Sequence, residues 1–301
     1  MSAFTFAPAT KATAKARIAL DGPSGSGKTY TSLTTATVLA DGGRIAVIDT
    51  ERGSASKYAD LFTFDTLQLH EFDPRRLVEA LRAAGAAGYA VVVVDSLSHF
   101  WSGKGGMLEQ ADNAGKRYGG NSFAGWKEAR PLERELIDAL LAYPGHVIVT
   151  MRTKTEWVVE ENDRGKKMPR KIGTKPEQRD GIEYEFDIVG DLDWENTLVV
   201  SKSRCSALAK AVMREPGPEF GAAVLAWLND GTAPPEPEPM TPTTRGAMFA
   251  LFGELGIEDR DAQIAGISRV IGRPVASRGD LTDAEGRAVV EALRARKAAA
   301  R

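Results

Sequence analysis

The stretch Gly22-Pro23-Ser24-Gly25-Ser26-Gly27-Lys28-Thr29 reads G-x-x-x-x-G-K-T, and it constrains this chain more than any other segment. Arg17–Leu20 before it reads as a short strand and Thr29–Ala40 after it as a helix, the setting in which such a loop works. Glycines tolerate positive φ and carry no Cβ, so the backbone can wrap closely around phosphate oxygens. Amides of the turn and of the helix N-terminus then point at the anion. In that arrangement Lys28 reaches the β- and γ-phosphates and the Thr29 hydroxyl is a ligand for Mg²⁺. Gly22, Pro23, Ser24, Gly25, Ser26, Gly27, Lys28, Thr29 and Tyr30 are thus the expected nucleotide-binding segment.

Around this loop the chain alternates strand and helix. Arg44–Asp49 reads as a second strand, and a short third runs near Thr66–Phe72. Asp73 as N-cap and Pro74 as first residue open a helix whose buried face is Leu77, Leu81 and Ala84. Tyr89–Asp95, rich in valine, reads as a central parallel strand buried on both faces. Residues 97–122 are expected to be loop, Phe123–Ala142 a long helix broken or bent near Pro131, and His146–Met151 another buried strand. This pattern predicts an α/β fold: a mainly parallel sheet with helices on both sides. Further on, Thr155–Glu160 is expected as a strand, Glu185–Asp191 and Thr197–Lys202 as a hairpin turning at Asp193–Asn196, and Phe220–Leu228 as a closing helix.

Four blocks follow: a flexible arm at 1–16, an ATPase-type core at 17–230, a Pro-rich linker at 231–242, and a small all-α domain at 243–301. In the last block Thr282-Asp283-Ala284-Glu285 is a capping box. A length of 301 residues and a hydrophobic content of 43% allow one large domain plus an appendage. The net charge of −2 gives no global basic field, so any nucleic-acid surface must be local. Cys205 stands alone, which excludes an intrachain disulfide, and the three histidines show no zinc spacing. Apolar runs are too short to span a bilayer and no secretory leader is evident, so the expectation is a cytoplasmic protein with no membrane partner; the resemblance given below implies a bacterial or phage-infected cell.

In a parallel sheet, ligands bind beyond the carboxyl ends of the strands. Four strands here end in polar groups: Asp21, Asp49 with Glu51, Asp95 with Ser96, and Thr150 with Arg152. Asp95 suits a carboxylate that holds Mg²⁺ directly or through water, beside Thr29. Many such enzymes place a glutamate directly after that aspartate to activate water; Ser96 occupies the position here. Glu51 is then the best candidate base, expected to share a strand face with Asp49 and to orient water in line with the γ-phosphate.

Gly22–Thr29, Ile48-Asp49-Thr50-Glu51 and Val94-Asp95-Ser96 together resemble the RecA ATPase core. That resemblance implies a RecA-like P-loop fold, ATP and Mg²⁺ as cofactors, and Glu51 as the catalytic glutamate. Leu198–Arg204 resembles the family's late strand ending in K-x-K or K-N-R, which implies that Lys202 and Arg204 reach a neighbouring subunit's γ-phosphate. The shared site implies an oligomer or filament. Phe4-Thr5-Phe6-Ala7 resembles the F-x-x-A peptide by which recombinases dock on the next subunit; a frayed terminus is the competing reading. More narrowly, Asp49–Gly53, Asp95–Trp101, Arg164–Lys171 and Gln178–Asp187 are similar to phage-borne RecA-like ATPases of the single-strand-annealing type. The chain departs from RecA in lacking Asn-Gln after the strand at 146–151, where Thr150-Met151-Arg152 stands.

By position, the family's two DNA-binding loops fall at about 102–122 and 153–175. Lys116 and Arg117 in the first, and Arg164, Lys166, Lys167, Arg170 and Lys171 in the second, are the candidate contacts to single-stranded DNA. The resulting reading is a DNA-stimulated ATPase in recombination, annealing or repair, with itself and a single-strand-binding or other recombination protein as partners. Two readings compete. In a P-loop phosphotransferase, 164–175 would be an acceptor lid; a nucleotide-gated switch would recruit a protein through 243–301.

Overall fold

A computed structural model describes residues 11, 14–161, 167–230 and 239–299, with side chains at all of these except 155–161, 167–173 and 299. Phe4, Phe6, Arg164, Lys166 and the linker stretch 231–238 lie outside the described residues. The chain divides into two compact units, one on Ala9–Thr232 and one on Ala233–Arg301.

The larger unit is built on a nine-stranded sheet. Its strands are β1 (Arg17–Gly22), β2 (Ile45–Asp49), β3 (Asp65–Gln68), β4 (Val91–Asp95), β5 (His146–Glu161), β6 (Lys167–Pro176), β7 (Ile188–Leu192), β8 (Thr197–Ser203) and β9 (Val212–Arg214). They lie in the order β3-β2-β4-β5-β1-β7-β8-β9, with β6 paired to β5 off this path. From β3 to β7 every pairing is parallel, while β7–β8, β8–β9 and β5–β6 are antiparallel. All residues of β1 and β4 are buried, as expected for strands covered on both faces.

Helices α1 (Lys28–Ala40), α2 (Pro74–Ala86), α3 (Ser98–Ser102), α4 (Met107–Arg117), α5 (Ser122–Leu141) and α6 (Pro218–Asn229) complete the unit. Leu33, Leu39, Phe220 and Val224 of α1 and α6 pack with one face of the sheet, and Leu77, Leu81, Leu136 and Leu140 of α2 and α5 with the other. Asp73 caps α2 by accepting from the Arg75 amide at 2.9 Å, with Pro74 at the first position.

Several expectations are corrected here. The region 97–122 is not a loop: it holds α3, α4 and the start of α5. Met107, Ala111 and Ala114 of α4 are buried at helical spacing. A Cβ on Gly125 would sit 2.3 Å from the Ala111 carbonyl oxygen, so the backbones of α4 and α5 meet there. Pro131 does not break α5, which runs as one helix of 20 residues from its Asn121 cap. Its buried positions (Gly125, Ala129, Leu136 and Leu140) hold it against the core, which outweighs the backbone bond that proline removes. Thr155–Glu160 is not a separate strand but the continuation of β5, and 153–175 is a hairpin of β5 and β6 rather than a loop. Val158 pairs with Arg170 and Trp157 with Lys171, so backbone pairing rather than open loop organises the basic run. The strand expected from Glu185 begins at Ile188, after a 3₁₀ turn at Ile182–Glu185. β9 has no counterpart in the sequence reading; Val212 and Arg214 are exposed, so burial left no pattern there.

The second unit contains α7 (Pro242–Glu254), α8 (Arg260–Ile271) and α9 (Asp283–Ala299) around a core including Met248, Phe252, Ile267 and Val289. The capping box forms: the Thr282 amide donates to Glu285 Oε2 at 2.9 Å and the Glu285 amide to Thr282 Oγ1 at 3.2 Å. Hydrogen bonds from Arg273 bring the Glu285 carboxyl down to about 2.

Candidate functional site

Where β1, β2 and β4 end, a cavity of about 550 Å³ opens, within the size range of ligand pockets. Pro23, Ser24 and Gly25 of the loop, Lys28 and Thr29 of α1, and Asp95 are among its walls; Glu51, Arg152 and Glu177 close the far side. The backbone of Gly22 stands at φ 155°, and a Cβ there would lie 2.4 Å from the Leu192 carbonyl oxygen and 2.6 Å from Ser26 Oγ. Both conformation and space therefore require glycine at the start of the loop.

The residues present fit a nucleotide phosphate. Helix α1 is entered from Gly27, which stands in the left-handed region, and no side chain caps its N-terminus, so its first amides are available to an anion. Lys28 Nζ donates to the carbonyl oxygens of Gly22 at 2.9 Å and Pro23 at 2.7 Å, which holds the ammonium inside the curl of the loop. Burial draws the Lys28 pKa down, and the charges of Asp95 and Glu51 oppose that.

The donor set also fits a divalent cation shared with phosphate oxygens. Thr29 Oγ1 donates to Asp95 Oδ2 at 2.6 Å, and Thr150 Oγ1 donates to the other carboxylate oxygen. Burial pushes Asp95 up, with those two hydroxyls opposing it and the charges of Glu51 and Asp49 adding to it. Among the described residues no group of three or more His, Cys, Asp or Glu could hold a metal. Thr29 and Asp95 are too few to cage an ion alone, but they suit Mg²⁺, which takes one or two protein ligands beside substrate phosphates and water.

Glu51 reaches the same cavity, though not by the route expected. β2 ends at Asp49, so the two residues do not share a strand face. Asp49 is buried and turns back on its own loop, accepting from the Glu51 amide at 2.6 Å and the Ala55 amide at 3.1 Å. That turn projects Glu51 toward Arg152, whose Nη2 and Nε lie 3.0 and 3.1 Å from Glu51 Oε1. Beneath it the buried Thr50 joins β2 to the segment after β4. Its Oγ1 accepts from the Ser96 amide at 2.7 Å and lies 2.6 Å from His99 Nδ1. His99 stacks on Phe72 at 4.7 Å; burial, then the charge of Arg152, draws its pKa down. The Asp95–Ser96 peptide is cis.

Not every expected residue comes to this cavity. The Tyr30 ring packs edge-on against Phe62, 5.4 Å between centroids, and is not among the lining side chains. Ser26 is buried within the loop. Lys202 and Arg204 lie at the opposite edge of the sheet. Ser203 pairs with Ile188, and Ile188 with Ile18 near the start of β1, so about 13 Å of strand separates that level from Gly22. Lys202 Nζ donates to the Glu183 and Tyr184 carbonyls at 2.8 and 2.9 Å, and Arg204 pairs with Asp187 at 2.7 Å. Lys116 and Arg117 occupy the last turn of α4, where cations complement the helix dipole. Lys116 bonds Asn113 at 3.3 Å and Arg117 pairs with Glu128.

Thr150, which bonds Asp95 behind the cavity, and Arg152 and Glu177, which line it, had no role in the sequence reading. Thr150 and Arg152 were visible as polar strand-end residues, and nothing local assigns them to Asp95 and Glu51. Glu177 is placed by its amide, which donates to the Arg152 carbonyl at 2.6 Å, a contact across the β5–β6 hairpin.

The mainly parallel sheet, the phosphate-shaped loop and the Thr29–Asp95 pair define a P-loop nucleotide triphosphatase. A family model described as an AAA domain matches residues 14–212, well over half of the 301-residue chain; the protein belongs to that family of nucleotide-binding ATPases. No curated protein matches the chain. No helix among the described residues is long and apolar enough to cross a membrane.

Proposed function

We propose that this protein is a RecA-like, Mg²⁺-dependent ATPase that acts on single-stranded DNA in recombination, annealing or repair, as an oligomer or filament with shared sites. The observation that carries the catalytic part is the convergence of Lys28, Thr29, Asp95 and Glu51 on one cavity. Lys28 and the loop amides bind the phosphates, and Thr29 and Asp95 hold the cation. When bound, the cation neutralises charge on the β- and γ-oxygens. Glu51 orients a water and accepts its proton. Arg152, bonded to that carboxylate, fixes where it points.

The position of Lys202 and Arg204 supports the shared site: they cannot serve the phosphate loop of their own chain, and Arg204 is more than half exposed despite its ion pair. We assign strand contact to Lys116, Arg117 and the basic run 164–171. The resemblance to phage annealing ATPases supports this output.

The test is the ATPase rate with and without single-stranded DNA, beside a sizing run with ATP. ADP release without any small-molecule acceptor, accelerated by the strand, is expected. A rate indifferent to DNA in a protein that stays monomeric refutes the proposal.

A further inference from the structure

Helix α5 carries four exposed side chains on one face, at spacings of four, three and four residues: Phe123, Lys127, Arg130 and Arg134. Together with Pro131 they line a small cavity of about 240 Å³. Three of the four acids of this helix are engaged elsewhere. Glu128 pairs with Arg117, Glu133 with Arg179, and Glu135 with Arg82. Asp138, one turn beyond Arg134, ends the stripe. Among the described residues Lys127, Arg130 and Arg134 have no ion pair or hydrogen bond from their side chains. Phe123 is 77% exposed, although α5 buries Gly125, Ala129, Leu136 and Leu140.

The arrangement is a track rather than a pocket. Lys127 and Arg134 are separated by about 10 Å along the axis, and three cations spread over that length match a row of phosphates better than one anion. The aromatic ring at the head of the row selects among polyanions. A flat apolar face stacks on an unpaired base, whereas the bases of a duplex are already stacked on each other. An acidic protein segment would use the cations but not the ring.

We infer that this face of α5 binds single-stranded nucleic acid, with phosphates along Lys127, Arg130 and Arg134 and a base stacked on Phe123. The inference rests on the DNA reading above and adds a surface to it.

Binding of a fluorescein-labelled oligothymidylate, followed by anisotropy across a salt series with ATP present, tests it. For K127A/R130A/R134A the slope of log affinity against log salt is expected to fall by about 2, at about 0.7 per lost phosphate contact. F123A is expected to weaken binding about tenfold and leave the slope unchanged. ATPase rate without DNA and unfolding temperature should match the parent in both variants, since the four side chains are exposed and lie outside the phosphate cavity; R130E alone should move affinity in the same direction. If both variants bind with parental affinity and slope, the inference fails while the DNA reading stands, and an acidic protein becomes the occupant of this face. If the parent itself does not bind the oligothymidylate, both fail.

Discussion

At one edge of the sheet, where β1, β2 and β4 finish and β5 passes, Lys28, Glu51, Asp95 and Arg152 face a common cavity. At the other, where β1, β5 and β7 begin, charge is spent on holding backbone together. Arg17 donates to the carbonyls of Leu141, Tyr143 and Gly145 at the end of α5, and Asp187 accepts from the Arg17 amide and from Arg204. Among the described residues at that second edge, Arg204 keeps an exposed side chain that a neighbour could reach, and Lys15 is exposed near it. The difference teaches that one edge is organised to hold a ligand, the other to hold the strands. In the shared-site reading proposed above, chemistry at the second edge passes through another copy of the chain.

Substitutions that separate the edges should therefore behave differently. Glu51→Gln at the first is expected to lower the hydrolysis rate by about 10³-fold, within the range for a lost general base, while nucleotide affinity is kept. Equal rates in parent and variant would remove Glu51 from the chemistry. Arg204→Ala at the second should cost about 10²-fold, less than a lone arginine finger because Lys202 remains. Mixing the two inactive variants is the sharper measurement. A head-to-tail assembly of equal parts regenerates about a quarter of the sites, each with an intact Glu51 and a neighbour's Arg204. No recovery in proven mixed oligomers would leave the second edge purely structural.

The edges should also differ in how acid affects stability. At the first, Asp21 is buried beside Asp191, and burial followed by that neighbour pushes it well above the ordinary carboxylate range. A raised carboxyl stabilises fully below its unfolded pKa near 4, and that contribution is lost as pH rises. Asp21→Asn, which needs no proton to donate to Asp191, should thus melt about 3 °C higher at pH 8 and show no gain near pH 4. At the second edge, His146 Nδ1 accepts from the Ala16 amide at 3.0 Å, and burial lowers its pKa to about 4. Its contribution is complete above pH 6.5 and lost as pH falls toward 4. His146→Gln keeps the acceptor without the proton, so its melting temperature should fall less than the parent's between pH 6.5 and 4. Parallel curves would mean that His146 takes its proton without cost.

The sequence was a good guide where a local pattern and a buried environment coincide. Val91–Val94, the Asp73–Pro74 helix start and the Thr282–Glu285 box each combine residue type with spacing, and each forms as read. The phosphate loop was legible because its glycines answer a backbone requirement. The misses have a different origin. Gly, Lys and Asn at 103–121 suggest loop, yet α4 is held by contact with α5, a tertiary effect that composition does not carry. Glu51 was found from its spacing to Asp49, but it reaches the cavity through a turn that Asp49 itself caps. Arg152 was read as the absence of an expected amide residue, because only the folded register sets it against Glu51, 101 residues away in the chain.

The length of β5 has a mechanical meaning. Its 16 residues make about 50 Å of continuous backbone. The strand starts at His146 on the structural edge, passes the ligand cavity at Arg152, and ends paired to β6. Its register with β6 slips between Glu156 and Trp157, beyond Arg152. The far hairpin is thus set off from Arg152 by an irregularity in the pairing, where a strand bends. Arg152, bonded to Glu51, therefore lies on the sheet's side of that bend, and the hairpin can tilt without carrying the guanidinium with it.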